Sequence, residues 1–189
     1  MREMIYRWEL LMIVREATHN DVAAMAQVHV DTWRTTYRGI VPDELLANLS
    51  YEKRENGWHQ ILNNASKDGN FTYVAEDELG EILGFANGGV ERAGDPVCQG
   101  ELSAIYILKS HQRKGIGREL IRAVVQKLSQ MEIHSMLVWV LAENPACRFY
   151  EKLGGQKVYE KEIERGGAKL IEIAYGWMDT ANLQRHSAT

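Results

Sequence analysis

Residues 112–118 read QRKGIGR, a basic run punctuated by two glycines, and the periodicity of the chain changes across it. Ahead of it lies an apolar stretch, Ile105-Tyr106-Ile107-Leu108, of the kind that forms a buried strand; behind it Ile116, Leu120, Val124, Leu128 and Met131 recur at helical spacing. A helix start leaves its first N–H groups unpaired and carries the positive end of the aligned peptide dipoles, so it attracts an anion. Glycine at 115 and 117 removes the Cβ atoms that would hold a phosphate away from those amides, and Arg113, Lys114 and Arg118 add mobile cations at the rim. The chemistry suited to such a turn is a main-chain grip on a pyrophosphate. A glycine-rich helix start that only redirects the chain would read the same way. The spacing excludes two better-known phosphate loops: there is no G-x-x-x-x-G-K-[ST], and Gly115-Ile116-Gly117 meets Leu120 where G-x-G-x-x-G needs its third glycine. Nucleotide hydrolysis and dinucleotide redox chemistry lose their main support.

Q-x-x-G-x-G from Gln112 to Gly117, entered from a strand with Ile107 five residues ahead, resembles the acetyl-CoA pyrophosphate loop of the GNAT superfamily of N-acetyltransferases. A second segment, NPACRFYEKLGG at residues 144–155, is similar to that family's N-x-x-A/C-x-x-F-Y-x-K-x-G-F and stands where the family would have it. Gly155 departs from the pattern, which has an aromatic there, and the expected consequence is a loss of packing at the end of the segment. The resemblance implies an α/β fold with a mixed, mostly antiparallel twisted sheet flanked by helices. In it a central parallel strand pair, here residues 101–108 and 134–141, splays around the cofactor. It further implies that main-chain groups near Ile105 and Ile107 pair with the acetyl and pantetheine portion as an added strand would. Gln112, Arg113, Lys114, Gly115, Ile116, Gly117 and Arg118 would hold the pyrophosphate, and Asn144 would reach the pantetheine amide. Asn144-Pro145 is equally a good N-cap and first-turn pair. The stretch DTWRTTYRGIVPDELLANLS resembles the helix-loop-helix that walls the acceptor site in one group of the family, which would put Trp33 and Tyr37 on the acceptor. Their helical spacing with Val22, Met25 and His29 also suits plain core packing.

Moving an acetyl group from a thioester to an amine requires a neutral amine, a stabilised oxyanion and a protonated leaving thiolate. Tyr150, at the family's general-acid position, carries a phenol of pKa roughly 10 that can protonate a thiolate whose conjugate acid, by analogy with cysteine, lies near about 8.5. It also belongs to a helical apolar stripe with Ala146, Phe149 and Leu153. Glu101 opens an otherwise apolar strand eleven residues before Gln112, the register of a catalytic glutamate in several family members. Direct deprotonation of an ammonium by a carboxylate is steeply uphill, so a base acting through water is expected, or else a glutamate that only holds the ammonium. The function implied is transfer of acetyl from acetyl-CoA to a primary amine by direct attack in a ternary complex. The alternative is a non-catalytic acyl-CoA-binding or sensing module on the same fold.

These residues need a scaffold of alternating element types. Residues 11–16 read as a strand, Thr18 with Asp21 as a capping box, and residues 22–37 as a helix closed by Gly39. Pro42 starts a short helix at a first-turn position, and Ser50 caps a third, from Tyr51 to about residue 65. From Phe71 the period becomes that of strands, with a hairpin through DELG and a further strand from Glu101. A helix over residues 115–131, a strand over 134–141, a helix over 144–153 and a terminal hairpin around RGGA complete the order. Residues 1–189 are expected to form one acetyltransferase domain with its core at about 12–178.

A net charge of −4 disfavours nucleic acid as a partner and mildly favours cationic substrates. The apolar run from Leu10 to Val14 is too short for a membrane span or a signal-peptide core. Cys98 and Cys147 match no metal or disulfide spacing, which suits a reducing, cytoplasmic setting, and the six histidines form no metal pattern. The expected partner is a small-molecule or peptide amine, with no membrane. Homodimers are common in the family that the motifs resemble.

Overall fold

The computed structural model describes residues 12–185; the lead-in expected before the first strand lies outside them, as does Leu11. The order is β1 (Met12–Glu16), α1 (Val22–Thr36), α2 (Asp43–Ala47), α3 (Tyr51–Asp68), β2 (Asn70–Asp77), β3 (Ile82–Val90), β4 (Gly100–Ile107), α4 (Ile116–Gln130), β5 (Met136–Leu141), α5 (Cys147–Lys152), β6 (Gln156–Arg165), β7 (Ala168–Trp177) and α6 (Ala181–Arg185). All seven strands form one sheet in the order β1-β2-β3-β4-β5-β7-β6. Every neighbouring pair is antiparallel except β4 with β5.

Local chemistry sets the helix ends. Thr18 and Asp21 form the capping box ahead of α1, and the Asp21 carboxylate is also forked by Arg15 at 2.7 and 2.8 Å. That guanidinium pulls the Asp21 carboxyl down to about 2. Ser50 Oγ accepts the Lys53 amide at 3.2 Å, and Gly69, at φ 64°, ends α3. α4 buries Ile116, Leu120, Ile121, Val124, Val125 and Leu128, a stripe as regular as its sequence spacing. This stripe packs on Leu83, Ala86, Leu102 and Val138 on one face of the sheet. On the other face Val22, Met25 and Val28 of α1 and Trp58 of α3 cover Val74, Ile82 and Phe85. Beyond β4 that second face receives α2 and the end of α1: Leu46 joins Val41, Leu141, Ile163 and Leu170, with Trp33 and Tyr37 packed beside them.

Several boundaries differ from the sequence reading. Pro42 is the N-cap of α2 rather than its first residue, and α3 runs three residues past 65. β5 begins at Met136, because the preceding residues leave the last turn of α4 through Glu132, which takes φ 61°. α5 begins at Cys147 with Ala146 as N-cap, since Asn144 spends its side chain on a tighter turn, its Oδ1 accepting the Ala146 amide at 2.9 Å. α6 and the single 3₁₀ turns at His19–Asp21 and Lys109–His111 carry too few periodic residues to be read from sequence.

Candidate active site

β4 and β5 pair only through Gly100 with Met136 and Glu101 with Leu137. Past that point β4 continues along β3 to Ile107 and β5 continues along β7 to Leu141, with no ladder between them. A bulge on β4 initiates the parting: Asn87 faces Ala104 while Gly88 faces Leu102, so Ser103 is an extra residue. Bulges bend the strand that carries them and increase its twist. This one is fastened by Ser103 Oγ, which donates to the Asn87 side chain, while Asn87 Nδ2 donates to Phe71 O at 3.0 Å and Thr72 Oγ1 at 2.9 Å.

The bulge also resets which way β4 side chains point. Leu102, Ile105 and Ile107 pack towards α4, whereas Ala104, Tyr106 and Leu108 pack towards α1 and α3. The Leu108 amide donates to Leu83 O at 2.9 Å, so by antiparallel alternation the main chain of Ile105 and Ile107 faces the opening. The Ile107 carbonyl is already taken, by Thr32 Oγ1 at 3.3 Å and Gln112 Nε2 at 3.1 Å. What remains for a ligand laid along this edge is both main-chain groups of Ile105 and the amide of Ile107.

Gln112 thus ties the loop back to the strand it leaves. Arg113 takes φ 62° and Gly115 φ 90°, and the amides of residues 113–117 donate no main-chain hydrogen bond among the described residues. Five consecutive free N–H groups at a helix start form a cradle for an anion. The two glycines serve it differently. A Cβ on Gly115 would enter open space, and there the left-handed backbone is the constraint. A Cβ on Gly117 would stand 3.1 Å from Phe149 Cζ and 3.3 Å from Ile107 Cδ1, so this glycine lets α4 close on α5 and β4. The Ile116 side chain is buried in the core and offers the loop only its amide, while Arg113, Lys114 and Arg118 are exposed.

α5 brings Tyr150 to the open end of the parted strands. Its ring is 3% exposed, and burial first, then the neighbouring Tyr37, Tyr106 and Cys147, push its phenol far above the ordinary value. Tyr37 is also pushed up by burial, and its hydroxyl meets the Asn144 side chain. Three phenols, Cys147 and Asn144 therefore converge from α1, β4 and α5. The looser packing expected at Gly155 does not occur: a Cβ there would lie 2.7 Å from Trp177 Cζ2, because Trp177 of β7 occupies the space. Its Nε1 donates to Leu153 O at 2.9 Å and its ring meets Tyr150 edge-on at 6.2 Å.

Glu101 lies at the opposite, still-paired end and is 5% exposed. Both its oxygens accept from Arg92, at 2.9 Å from Nε and 2.6 Å from Nη2. Trp33 and Tyr37, 4.6 Å apart between ring centroids, stand on the α1 side. Next to them His29 stacks on Tyr106 at 4.4 Å and accepts the Trp58 indole N–H on Nδ1 at 3.2 Å. Sequence reasoning missed Arg92 and Tyr106. Arg92 carries no local signal, while Tyr106, the aromatic between Ile105 and Ile107, could have been found from strand alternation. No group of three or more His, Cys, Asp or Glu suited to a metal ion occurs among the described residues, and no helix there is long and apolar enough to cross a membrane.

Comparison with known proteins adds to this geometry. Residues 83–164 match the family described as FR47-like protein. The chain is 38% identical over 174 residues to YuaI of Bacillus subtilis (strain 168), described as an uncharacterized N-acetyltransferase, covering 92% of this chain and 97% of that one. Ribosomal-protein-alanine N-acetyltransferase from Brucella melitensis has the same fold, with TM-score 0.69 and 24% identity over 87% of this chain and 98% of that one. So does yncA from Salmonella typhimurium, solved with its cofactor acetyl-CoA, with TM-score 0.66 and 21% identity over 94% and 96% of the two chains. At those identities the two solved structures bear on the fold alone.

Proposed function

Because the chain belongs to the GNAT superfamily of N-acetyltransferases, we propose that it moves the acetyl group of acetyl-CoA to a primary amine by direct attack within a ternary complex. The observation that carries this reading is the two-residue β4–β5 pairing that opens beside five free amides at the start of α4. An opened strand pair accepts an extended chain of amides, and the helix start accepts the pyrophosphate attached to it. The residues fit such a cosubstrate, whose thioester is the activated acyl donor.

In this reading the amides of residues 113–117 bind the pyrophosphate, with Arg113, Lys114 and Arg118 neutralising its outer oxygens. Gln112 holds the loop against Ile107. Ile105 and the Ile107 amide orient the pantetheine as an added strand, and Asn144, fixed in its turn, reaches it from the α5 side. Burial keeps Tyr150 Oη protonated; it passes its proton to the departing sulfur and regains one through water from the proton that Glu101 has taken from the amine, so that no phenolate is left behind. Trp33 and Tyr37 wall the acceptor. Glu101 has two of its roughly four lone-pair sites on Arg92 and takes the amine proton on a remaining one through water. The two free cysteines support a cytoplasmic setting.

The test has two steps. Acetyl-CoA should raise the melting temperature, and a panel of primary amines should then release free thiol with intersecting initial-velocity lines. Parallel lines would replace direct attack by an acyl-enzyme. A thermal shift with no thiol release from any amine would make the protein an acyl-CoA-binding module.

A further inference from the structure

The proposed transfer leaves one developing charge without a donor. When the amine lone pair bonds to the thioester carbon, the carbonyl π pair moves onto oxygen, and the main-chain groups that face the gap are engaged by the pantetheine in that reading. A hydroxyl from α1 stands at this place. Tyr37 is the C-cap of α1, and the turn that follows closes on its carbonyl, which accepts the Ile40 and Val41 amides at 3.0 and 3.1 Å. Its ring packs with Val41, Leu46 and Leu141, so it reaches from α1 to the β5 side of the parted strands. There its hydroxyl meets Asn144, the only side chain that hydrogen-bonds it among the described residues.

The proton count decides which way that bond runs. Asn144 Oδ1 is taken by the Ala146 amide at 2.9 Å, so the side chain meets Tyr37 with its NH₂ group. Burial pushes the Tyr37 phenol up, and Asn144 pulls against it, as a donor to the phenol oxygen must. The phenol therefore accepts, and its own proton is left over. Asn144 is buried, and Ala146 in turn accepts the Tyr150 amide at 3.1 Å. One short turn thus fixes both the Tyr37 hydroxyl and the helix that carries Tyr150.

We infer that Tyr37 is a catalytic residue: its O–H, held from behind by Asn144, donates to the thioester carbonyl oxygen and stabilises the negative charge that develops there. The proton stays on Tyr37 throughout. When the oxygen's electron pair returns to carbon, the C–S bond breaks with its electrons on sulfur, and sulfur takes the Tyr150 proton while the amine proton leaves through water to Glu101. This rests on the acetyltransferase reading and deepens it, giving a ring that walls the acceptor a second task. Preorganised donors of this kind are among the largest contributions to acyl transfer.

The test reads the carbonyl itself, apart from turnover. The protein is saturated with acetyl-CoA isotopically labelled at the carbonyl carbon, and the C=O stretch of the bound thioester is measured by infrared difference spectroscopy in wild type, Tyr37→Phe and Asn144→Asp. In Asn144→Asp one oxygen still takes the Ala146 amide while the other takes the Tyr37 proton, so the tether survives and the donor is lost. The band should move to higher wavenumber in both variants, because a carbonyl that loses a hydrogen bond stiffens. With the amine that releases thiol fastest from wild type, kcat of Tyr37→Phe should fall ~10²-fold or more while KM stays within threefold. Should Tyr37→Phe not fold, Asn144→Asp alone decides. A band that keeps its wild-type position in either folded variant, a kcat within threefold of wild type, or acetyl-CoA failing to bind the wild-type protein would overturn the proposal. A band shifted in both variants with no thiol released from any amine would leave Tyr37 as the carbonyl donor and remove the acetyltransferase function.

Discussion

At the scale of single residues the site separates groups that hold a proton from groups that hold a charge. Tyr150 is sealed among Phe149, Tyr175 and Trp177, so removing its hydroxyl leaves the packing intact. Tyr150→Phe should therefore keep acetyl-CoA affinity in calorimetry while kcat falls by ~10²-fold or more, the usual contribution of a general acid. A kcat within threefold of wild type would make Tyr150 a core residue. Glu101→Gln should lower kcat/KM strongly at neutral pH and recover much of it at high pH, where free amine no longer needs a proton acceptor. If Glu101 only holds the ammonium, the loss should appear in KM with kcat intact, and shrink as the amine loses its charge. His29 makes a different kind of statement. Its folded value, about 3, lies below the ordinary 6.5, so the unfolded chain takes up a proton that the folded chain refuses. That contribution to stability is complete above about 6.5 and is lost as pH falls towards 3, by about 1 kcal/mol per pH unit. Urea unfolding at pH 7 and pH 5 should show this slope in the wild-type protein and a flatter one in His29→Phe.

At the scale of elements, much was legible in the sequence because periodicity and end signals are local. The apolar stripe of α4, the cap at Ser50 and the glycines of the loop needed no tertiary information. What the sequence hid was every feature decided by a partner far along the chain. Ser103 looks like an ordinary strand residue, yet opposite Asn87 it becomes a bulge that aims Tyr106 at the acceptor side. Gly155 looked like a missing aromatic, whereas the ring is supplied by Trp177 from another strand. Adding one methyl at that position should therefore be costly: Gly155→Ala, with its Cβ 2.7 Å from the indole and 3.0 Å from the Tyr150 carbonyl, should lose about 1–3 kcal/mol. Chemical denaturation of Gly155→Ala in the wild-type and Trp177→Phe backgrounds measures the coupling, and the penalty should shrink where the indole is trimmed.

At the scale of the whole molecule, a chain of net charge −4 presents a basic rim to a polyanionic cosubstrate. Attraction at that rim is local and solvent-exposed, so acetyl-CoA affinity should fall as salt rises, more steeply in wild type than in Lys114→Gln. Equal salt slopes for the two proteins would show that Lys114 does not share in the binding. The arrangement of the sheet was only partly readable, since the order β1-β2-β3-β4-β5-β7-β6 does not follow the order of the strands in sequence. The shortness of the β4–β5 ladder reaches further than ligand geometry. Main-chain amides in the middle of a seven-stranded sheet ordinarily trade their protons for deuterium only when the fold opens. Here the amides of Ile105 and Ile107 look into the gap, so they should exchange within seconds while Tyr106 between them stays protected, a fast–slow–fast signature inside one strand. Acetyl-CoA, by giving those two amides acceptors, should slow them to the rate of their neighbour, so that mass or NMR detection of exchange would report occupancy of the site without any turnover at all.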